Sequence, residues 1–136
     1  IPALIRKCVE AQAKGEQQVM LWGDGSPSRE FLYVDDAARA ILLAAEHYNG
    51  DLPVNIGTGE EITIHDLAHL IANEVGFKGE LVWDTAKPNG QPRRCLDTRR
   101  AKQLFGFEAE TKLRNGIQGT VAWFHTNRES FREVAF

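Results

Sequence analysis

The sequence predicts a small α/β domain. Segments with apolar residues at helical spacing alternate with short apolar runs of strand length, and Gly- or Pro-rich turns separate them. The strands are few and widely spaced, which argues against a complete doubly wound sheet. The 136 residues suffice for one domain, and 43% hydrophobic with 26% charged residues is the balance of a globular protein.

In chain order, residues 3–14 carry Leu4, Ile5, Cys8, Val9 and Ala11 at helical spacing, and Gly15 stops them. Val19-Met20-Leu21-Trp22 is a strand running into the tight loop Gly23-Asp24-Gly25-Ser26-Pro27. Phe31 to Val34 is expected as a second brief strand, with Asp35 or Asp36 capping a helix to about Tyr48. Val54-Asn55-Ile56 is expected as a strand leading into Gly57-Thr58-Gly59. Thr63 with Asp66 forms a capping box, and Leu67, Leu70, Ile71 and Val75 line the helix that it opens, up to Gly76. Glu80 to Trp83 is another strand, followed by the loop Lys87-Pro88-Asn89-Gly90-Gln91-Pro92 and a short helix over Thr98 to Leu104. The last helix shows Leu113, Ile117, Val121 and Phe124 on one face. Residues 1–126 are thus expected as one domain, and 127–136 as a polar C-terminal tail.

Composition narrows the function classes. The net charge of −3 does not favour a nucleic-acid or membrane partner, and no apolar run reaches membrane-spanning length. Cys8 and Cys95 are too few for a disulfide scaffold and stand at no metal-ligand spacing, so a reduced cytoplasmic protein is expected. Ile1 opens directly into a helical pattern without an initiator Met or a signal peptide, which suggests a piece of a longer chain. Charge is unevenly spread: from Asp84 to Lys102 six basic residues stand against two acidic ones. Such a segment suits a small polyanion or a solvated surface.

Several motifs are weaker than they look. Asn55-Ile56-Gly57-Thr58-Gly59 follows an expected strand as a dinucleotide fingerprint would, but Ile62 occupies the third glycine position. Glu60 and Glu61 lie where pyrophosphate would dock, so a turn is the better reading. His65 and His69 are four apart on a helix, yet Asp66, Leu67 and Ala68 between them do not make a zincin motif. Asp35 and Asp36 point apart as sequence neighbours, and capping accounts for at least one of them. No catalytic, cofactor-binding or metal-ligating residue is assigned in the chain.

The segment from Trp22 to Asp36 is different. Its Gly/Pro loop delivers Arg29, whose planar guanidinium can grip phosphate oxygens in a bidentate way, and Trp22 offers a flat apolar wall. The pattern Trp22-Gly23-Asp24-Gly25-Ser26-Pro27-Ser28-Arg29-Glu30-Phe31-Leu32-Tyr33-Val34-Asp35-Asp36 resembles the extended short-chain dehydrogenase/reductase (NAD-dependent epimerase/dehydratase) family of nucleotide-sugar epimerases, dehydratases and reductases. Ile1 to Lys7, Asn55 to Gly59 and above all Asp84 to Asp97, with Lys87-Pro88-Asn89-Gly90-Gln91-Pro92-Arg93, extend the likeness over residues 1–126.

The resemblance implies the C-terminal substrate-binding domain of such an enzyme, with most or all of its Rossmann domain outside this chain. The best-matching branch epimerises GDP-4-keto-6-deoxy-mannose at two carbons and reduces the keto group with NADPH, giving GDP-L-fucose. It further implies a GDP-sugar substrate, a homodimeric parent, and an NADP site and hydride-transfer residues upstream of Ile1, so that the chain alone is inactive. By alignment with the family, Leu4 lies near the base, Lys7, Arg29 and Lys87 near the diphosphate, and Trp22 in the substrate pocket. Arg93 is a weaker candidate, and Cys8 and Cys95 fall at no catalytic position. Another nucleotide-sugar epimerase or dehydratase, or a non-catalytic nucleotide-binding module, are the alternatives. The loop from Lys87 to Arg94 is expected to order only around a bound anion, unless Asp84 and Asp97 pair with its cations.

Overall fold

The computed structural model describes residues 1–128. Helix α1 (Pro2–Lys14) begins with proline, whose missing N–H would be unpaired in a first turn anyway, and ends on Gly15 in the left-handed conformation. Strand β1 (Gln18–Trp22) pairs in parallel with β4 (Glu80–Asp84). Between them lie β2 (Ser28–Arg29), α2 (Val34–His47), β3 (Ile62–Thr63) and α3 (Ile64–Val75). After β4 come β5 (Arg93–Arg94), α4 (Arg99–Phe105) and α5 (Leu113–Asn127). A second sheet has the order β3-β2-β5, antiparallel on one side and parallel on the other. Among the described residues, two small sheets and five helices match the expected α/β class. No helix among the described residues is long and apolar enough to cross a membrane.

Two apolar clusters hold the chain together. The larger joins α1, β1, α3 and α5 through Ile5, Cys8, Leu21, Leu67, Ile71, Ile117 and Val121, each 6% exposed or less. Burying a side chain such as Ile71 contributes roughly 1.5–3 kcal/mol. The smaller cluster joins α2 and α4 through Ala40, Ala101, Phe105 and Phe107. Phe31 packs on the first and Leu32 on the second, so the segment before α2 is the seam between them.

That seam explains where the structure departs from the expected elements. Phe31 to Val34 forms no strand; the ladder lies three residues earlier, at Ser28–Arg29. Adjacent side chains at 31 and 32 serve two different cores. Val54 to Ile56 likewise forms no strand: Val54 and Ile56 alternate onto the smaller cluster, but no strand among the described residues lies alongside. The two-residue strands β3 and β5 are too short to carry any periodic signal.

Helix α2 is capped by neither Asp35 nor Asp36. Its N-cap is Tyr33, which makes no side-chain cap bond. Asp36 is 4% exposed and its carboxylate accepts from the backbone N–H groups of Thr111 (2.8 Å) and Glu110 (3.2 Å) and from Arg39 (3.2 Å). Burial pushes the Asp36 carboxyl up, but these bonds outweigh it and hold it below its ordinary value. Thr63 does cap α3, accepting from Asp66 N at 3.0 Å. Helix α5 continues to Asn127, and residues 129–136 of the expected tail lie outside the described residues.

Candidate functional site

Alternation along β1 sends Val19 and Leu21 into the core and leaves Met20 52% and Trp22 66% exposed. An indole that open at the end of a strand gains little for the fold. The Lys87 ammonium sits 5.7 Å from the centre of the Trp22 ring, a cation–π contact worth about 0.5–1 kcal/mol at an exposed site. Next to this strand, the Lys7 ammonium of α1 donates to Met20 O at 2.9 Å and keeps its other N–H groups in solvent. Leu4, one turn earlier on α1, is half-buried against the larger cluster.

Two loops carry the rest. The turn after β1 and the turn after β4 are tied together: Gly23 N donates to Asp84 O (2.9 Å), Asp24 N to the Asn89 side chain (2.8 Å) and Ser28 N to Pro92 O (2.9 Å). Gly23 adopts φ 78°, and a Cβ there would run into the Asn89 amide, so glycine is required on two counts. Arg29 spans the same junction, donating to Ser28 O and Gln91 O at 2.6 Å each. Those two bonds leave further guanidinium N–H groups for a ligand. The loop expected to be ordered only by an anion is thus fastened to its neighbour through Asn89, Gln91 and Pro92. The Lys87 ammonium pairs with neither the Asp84 nor the Asp97 carboxylate: it lies against Trp22, while Lys87 N donates to Asp84 O (3.1 Å) and Asp97 holds Arg99.

Arg93 stands apart from this group. Its Nε lies 2.9 Å from both oxygens of Glu61, and Ser28 Oγ donates to the same carboxylate at 2.7 Å. Bonds from Arg93 first, then from Ser28, lower the Glu61 carboxyl from its ordinary 4.5 to about 2. The structure therefore sets Lys87 against Trp22, ties Arg29 to the loop after β4, holds Lys7 on Met20 of β1 and packs Leu4 on the larger cluster, and it gives Arg93 the Glu61 carboxylate.

Some supporting residues left no mark in the sequence. Glu30 accepts from Leu96 N (2.9 Å), Thr58 N (3.2 Å) and the Cys95 thiol (3.2 Å), so one carboxylate fastens two other segments to its own. Its bond and its charge push the Cys95 thiol up. Burial does the same to Cys8. The Gly57-Thr58-Gly59 turn is docked on Glu30, where a pyrophosphate would meet a carboxylate instead of free N–H groups. Asn89 could have been suspected from its place between Pro88 and Gly90; Glu30 and Glu61 could not.

Other candidate chemistry is quieter. His65 and His69 have ring centres 4.6 Å apart, and His65 stacks on Trp83, but no three-ligand metal group exists among the described residues. An open cleft of about 740 Å³ lies between the start of α1, Phe31 to Asp35, and α5, and touches none of the six expected site residues.

The sequence model of the NAD dependent epimerase/dehydratase family matches residues 1–57. The GDP-L-fucose synthase 1 of Arabidopsis thaliana is 44% identical over 93% of this chain and 39% of its own length. The GDP-L-fucose synthase of Escherichia coli (strain K12) is 43% identical over 97% of this chain and 44% of its own. The crystal structure of a GDP-L-fucose synthetase from Naegleria fowleri bound to NADP superposes with a TM-score of 0.89, at 33% identity over 95% of this chain and 40% of that one. The chain thus spans about two fifths of the length of these relatives. With motifs, fold and relatives in agreement, the chain belongs to the NAD dependent epimerase/dehydratase family and corresponds to the C-terminal part of its GDP-L-fucose synthase members.

Proposed function

We propose that this chain is the substrate-holding part of an NADP-dependent enzyme that turns GDP-4-keto-6-deoxy-mannose into GDP-L-fucose. The observation that carries the reading is an exposed Trp22 indole with the Lys87 ammonium against it and Arg29 fixed in the adjoining loop, within a chain so similar to GDP-L-fucose synthases. An aromatic wall next to fixed cations matches a nucleotide, which has a flat base and a charged diphosphate. Lys7, Arg29 and Lys87 neutralise the diphosphate, Trp22 lines the pocket, and Leu4 offers apolar contact near the base. Arg93, its charge matched by Glu61, keeps free N–H groups and is the weaker contact of the same reading.

Clamping the nucleotide fixes where the sugar sits relative to the reacting groups. That is a positioning contribution, which turns an encounter between molecules into a reaction within one complex. The described residues do not fit NADP itself, because the one glycine-rich turn that follows the expected pattern is occupied by Glu30 and followed by Glu60 and Glu61. Hydride transfer therefore belongs to the remainder of the intact protein in this proposal, and the 136-residue chain alone turns over no substrate. The homodimer implied by the family remains part of the same reading. Two free cysteines suit the cytoplasm.

The test is turnover by the full-length protein given NADPH and GDP-4-keto-6-deoxy-mannose. Stoichiometric loss of nicotinamide absorbance, absent with UDP- or dTDP-linked keto sugars and absent with the isolated chain, is the expected result. No loss with the GDP-linked sugar, or equal rates with the other nucleotides, overturns it.

A further inference from the structure

Two histidines stand one turn apart on the exposed side of α3. His65 and His69 flank the buried Leu67 and Ala68, so the helix turns its apolar face to the core and leaves both imidazoles outside. Their ring centres are 4.6 Å apart with planes at 53°, too tilted for stacking. Two imidazoles that ligate one metal ion at about 2.1 Å, with an angle of about 90–110° between the bonds, place their ring centres roughly 4.5–5.2 Å apart. The pair already has that separation.

His65 is held from two sides. Its ring stacks on Trp83 at 5.9 Å, with planes 19° apart, and Trp83 itself packs on the larger cluster. Its Nδ1 lies 3.2 Å from Asp66 Oδ1. A carboxylate only accepts, so this contact puts the proton on Nδ1 and leaves the Nε2 lone pair for a metal. Metal-binding histidines are oriented in the same way by an outer carboxylate. Asp66 is fixed in turn, because Thr63 Oγ1 donates to its Oδ2 at 2.8 Å. Its negative charge also offsets the positive end of the α3 dipole, which disfavours a cation in the first turn. The His69 ring has no hydrogen-bond partner among the described residues.

We propose that His65 and His69 form a two-histidine site for a divalent transition metal ion such as zinc or copper, with Asp66 orienting His65. Imidazole suits these ions, and water fills the remaining positions, since no group of three protein ligands exists among the described residues. His65 N donates to Gly25 O at 2.9 Å, so a bound ion steadies the first turn of α3 and the loop after β1 that rests on it. The site is independent of the nucleotide-sugar reading.

Calorimetric titration of zinc chloride into the chelator-treated full-length protein tests it, with His69→Ala, His65→Ala and Asp66→Asn as variants. The wild type is expected to bind one zinc ion that both alanine variants lose. Asp66→Asn weakens that ion about ten- to a hundredfold, the usual result of removing an outer partner. Zinc raises the melting temperature of the wild type but not of His69→Ala, which unfolds at the wild-type temperature without metal. Copper(II) chloride reports the position, because the ion quenches an indole beside it. The quenching is expected to fall in His69→Ala and also in Trp83→Phe, which keeps its zinc affinity. Equal zinc stoichiometry and affinity in wild type and His69→Ala overturn the proposal, as does a wild-type protein that binds no zinc. Undiminished copper quenching in Trp83→Phe places the ion elsewhere and overturns it too. Wild-type zinc affinity in Asp66→Asn overturns the orienting role of the carboxylate.

Discussion

Replacing Asp36 by Asn tests what holds the two clusters in register. The Asp36 carboxylate takes three donors at once, from Thr111 N, Glu110 N and Arg39, while only 4% exposed. Asparagine keeps the shape but loses the charge and one acceptor oxygen. Charge-assisted bonds contribute roughly 1.5–3 kcal/mol and neutral ones about 0.5–1.5, so three weakened bonds amount to about 3 kcal/mol. For a domain of this size that is a fall of about 10 °C in melting temperature. The carboxyl is held below its ordinary 3.8 in the folded protein, so its contribution is complete above that value and fades as pH falls through the folded value. The gap between wild type and Asp36→Asn should accordingly be widest near neutrality and narrow below about pH 4. Thermal unfolding followed by circular dichroism across this range measures both. Asp35→Asn, on an exposed neighbour, serves as control and should shift the midpoint by little. A fall below about 3 °C for Asp36→Asn, or one matched by Asp35→Asn, refutes the reasoning and restores a capping role.

Two further substitutions probe the joined loops. Gly23→Ala should lower the melting temperature more than Gly90→Ala: both incur roughly 1–2 kcal/mol for a left-handed backbone, but only Gly23 also has the Asn89 amide in the way. Equal shifts in the two variants would separate the loops from one another. Glu61→Gln should destabilise the protein at neutral pH, and the difference should close as pH falls from 4.5 towards 2, because a depressed carboxyl stabilises only while ionised. A pH-independent difference in melting temperature would remove the Arg93–Glu61 pair from the account.

Much of the fold was legible because its helices are long enough to show their period. Thr63, Gly15 and Gly76 mark helix ends by rules that act within one turn, and the structure follows them. Asp36 misled because its local role as a cap and its distant role towards Thr111 demand the same residue type, and only the tertiary partner distinguishes them. Phe31 to Val34 and Val54 to Ile56 misled for a related reason: apolar residues at strand spacing describe burial, whereas a strand also needs a partner backbone. At the site, Trp22 and Arg29 stood out through the Gly/Pro loop between them. The pairing of Arg93 with Glu61 lay in the register of a two-residue strand, which no sequence pattern encodes.

The central claim is that the chain grips a diphosphate through Arg29. Calorimetric titration of GDP into the full-length wild-type protein and Arg29→Ala tests it most directly. Losing a charge-assisted contact to a diphosphate costs about 1.5–3 kcal/mol, so the account predicts a ten- to hundredfold weaker affinity for GDP, with NADPH binding much less affected. Unchanged GDP affinity in a folded Arg29→Ala variant would contradict it and leave Arg29 as a strut between Ser28 and Gln91.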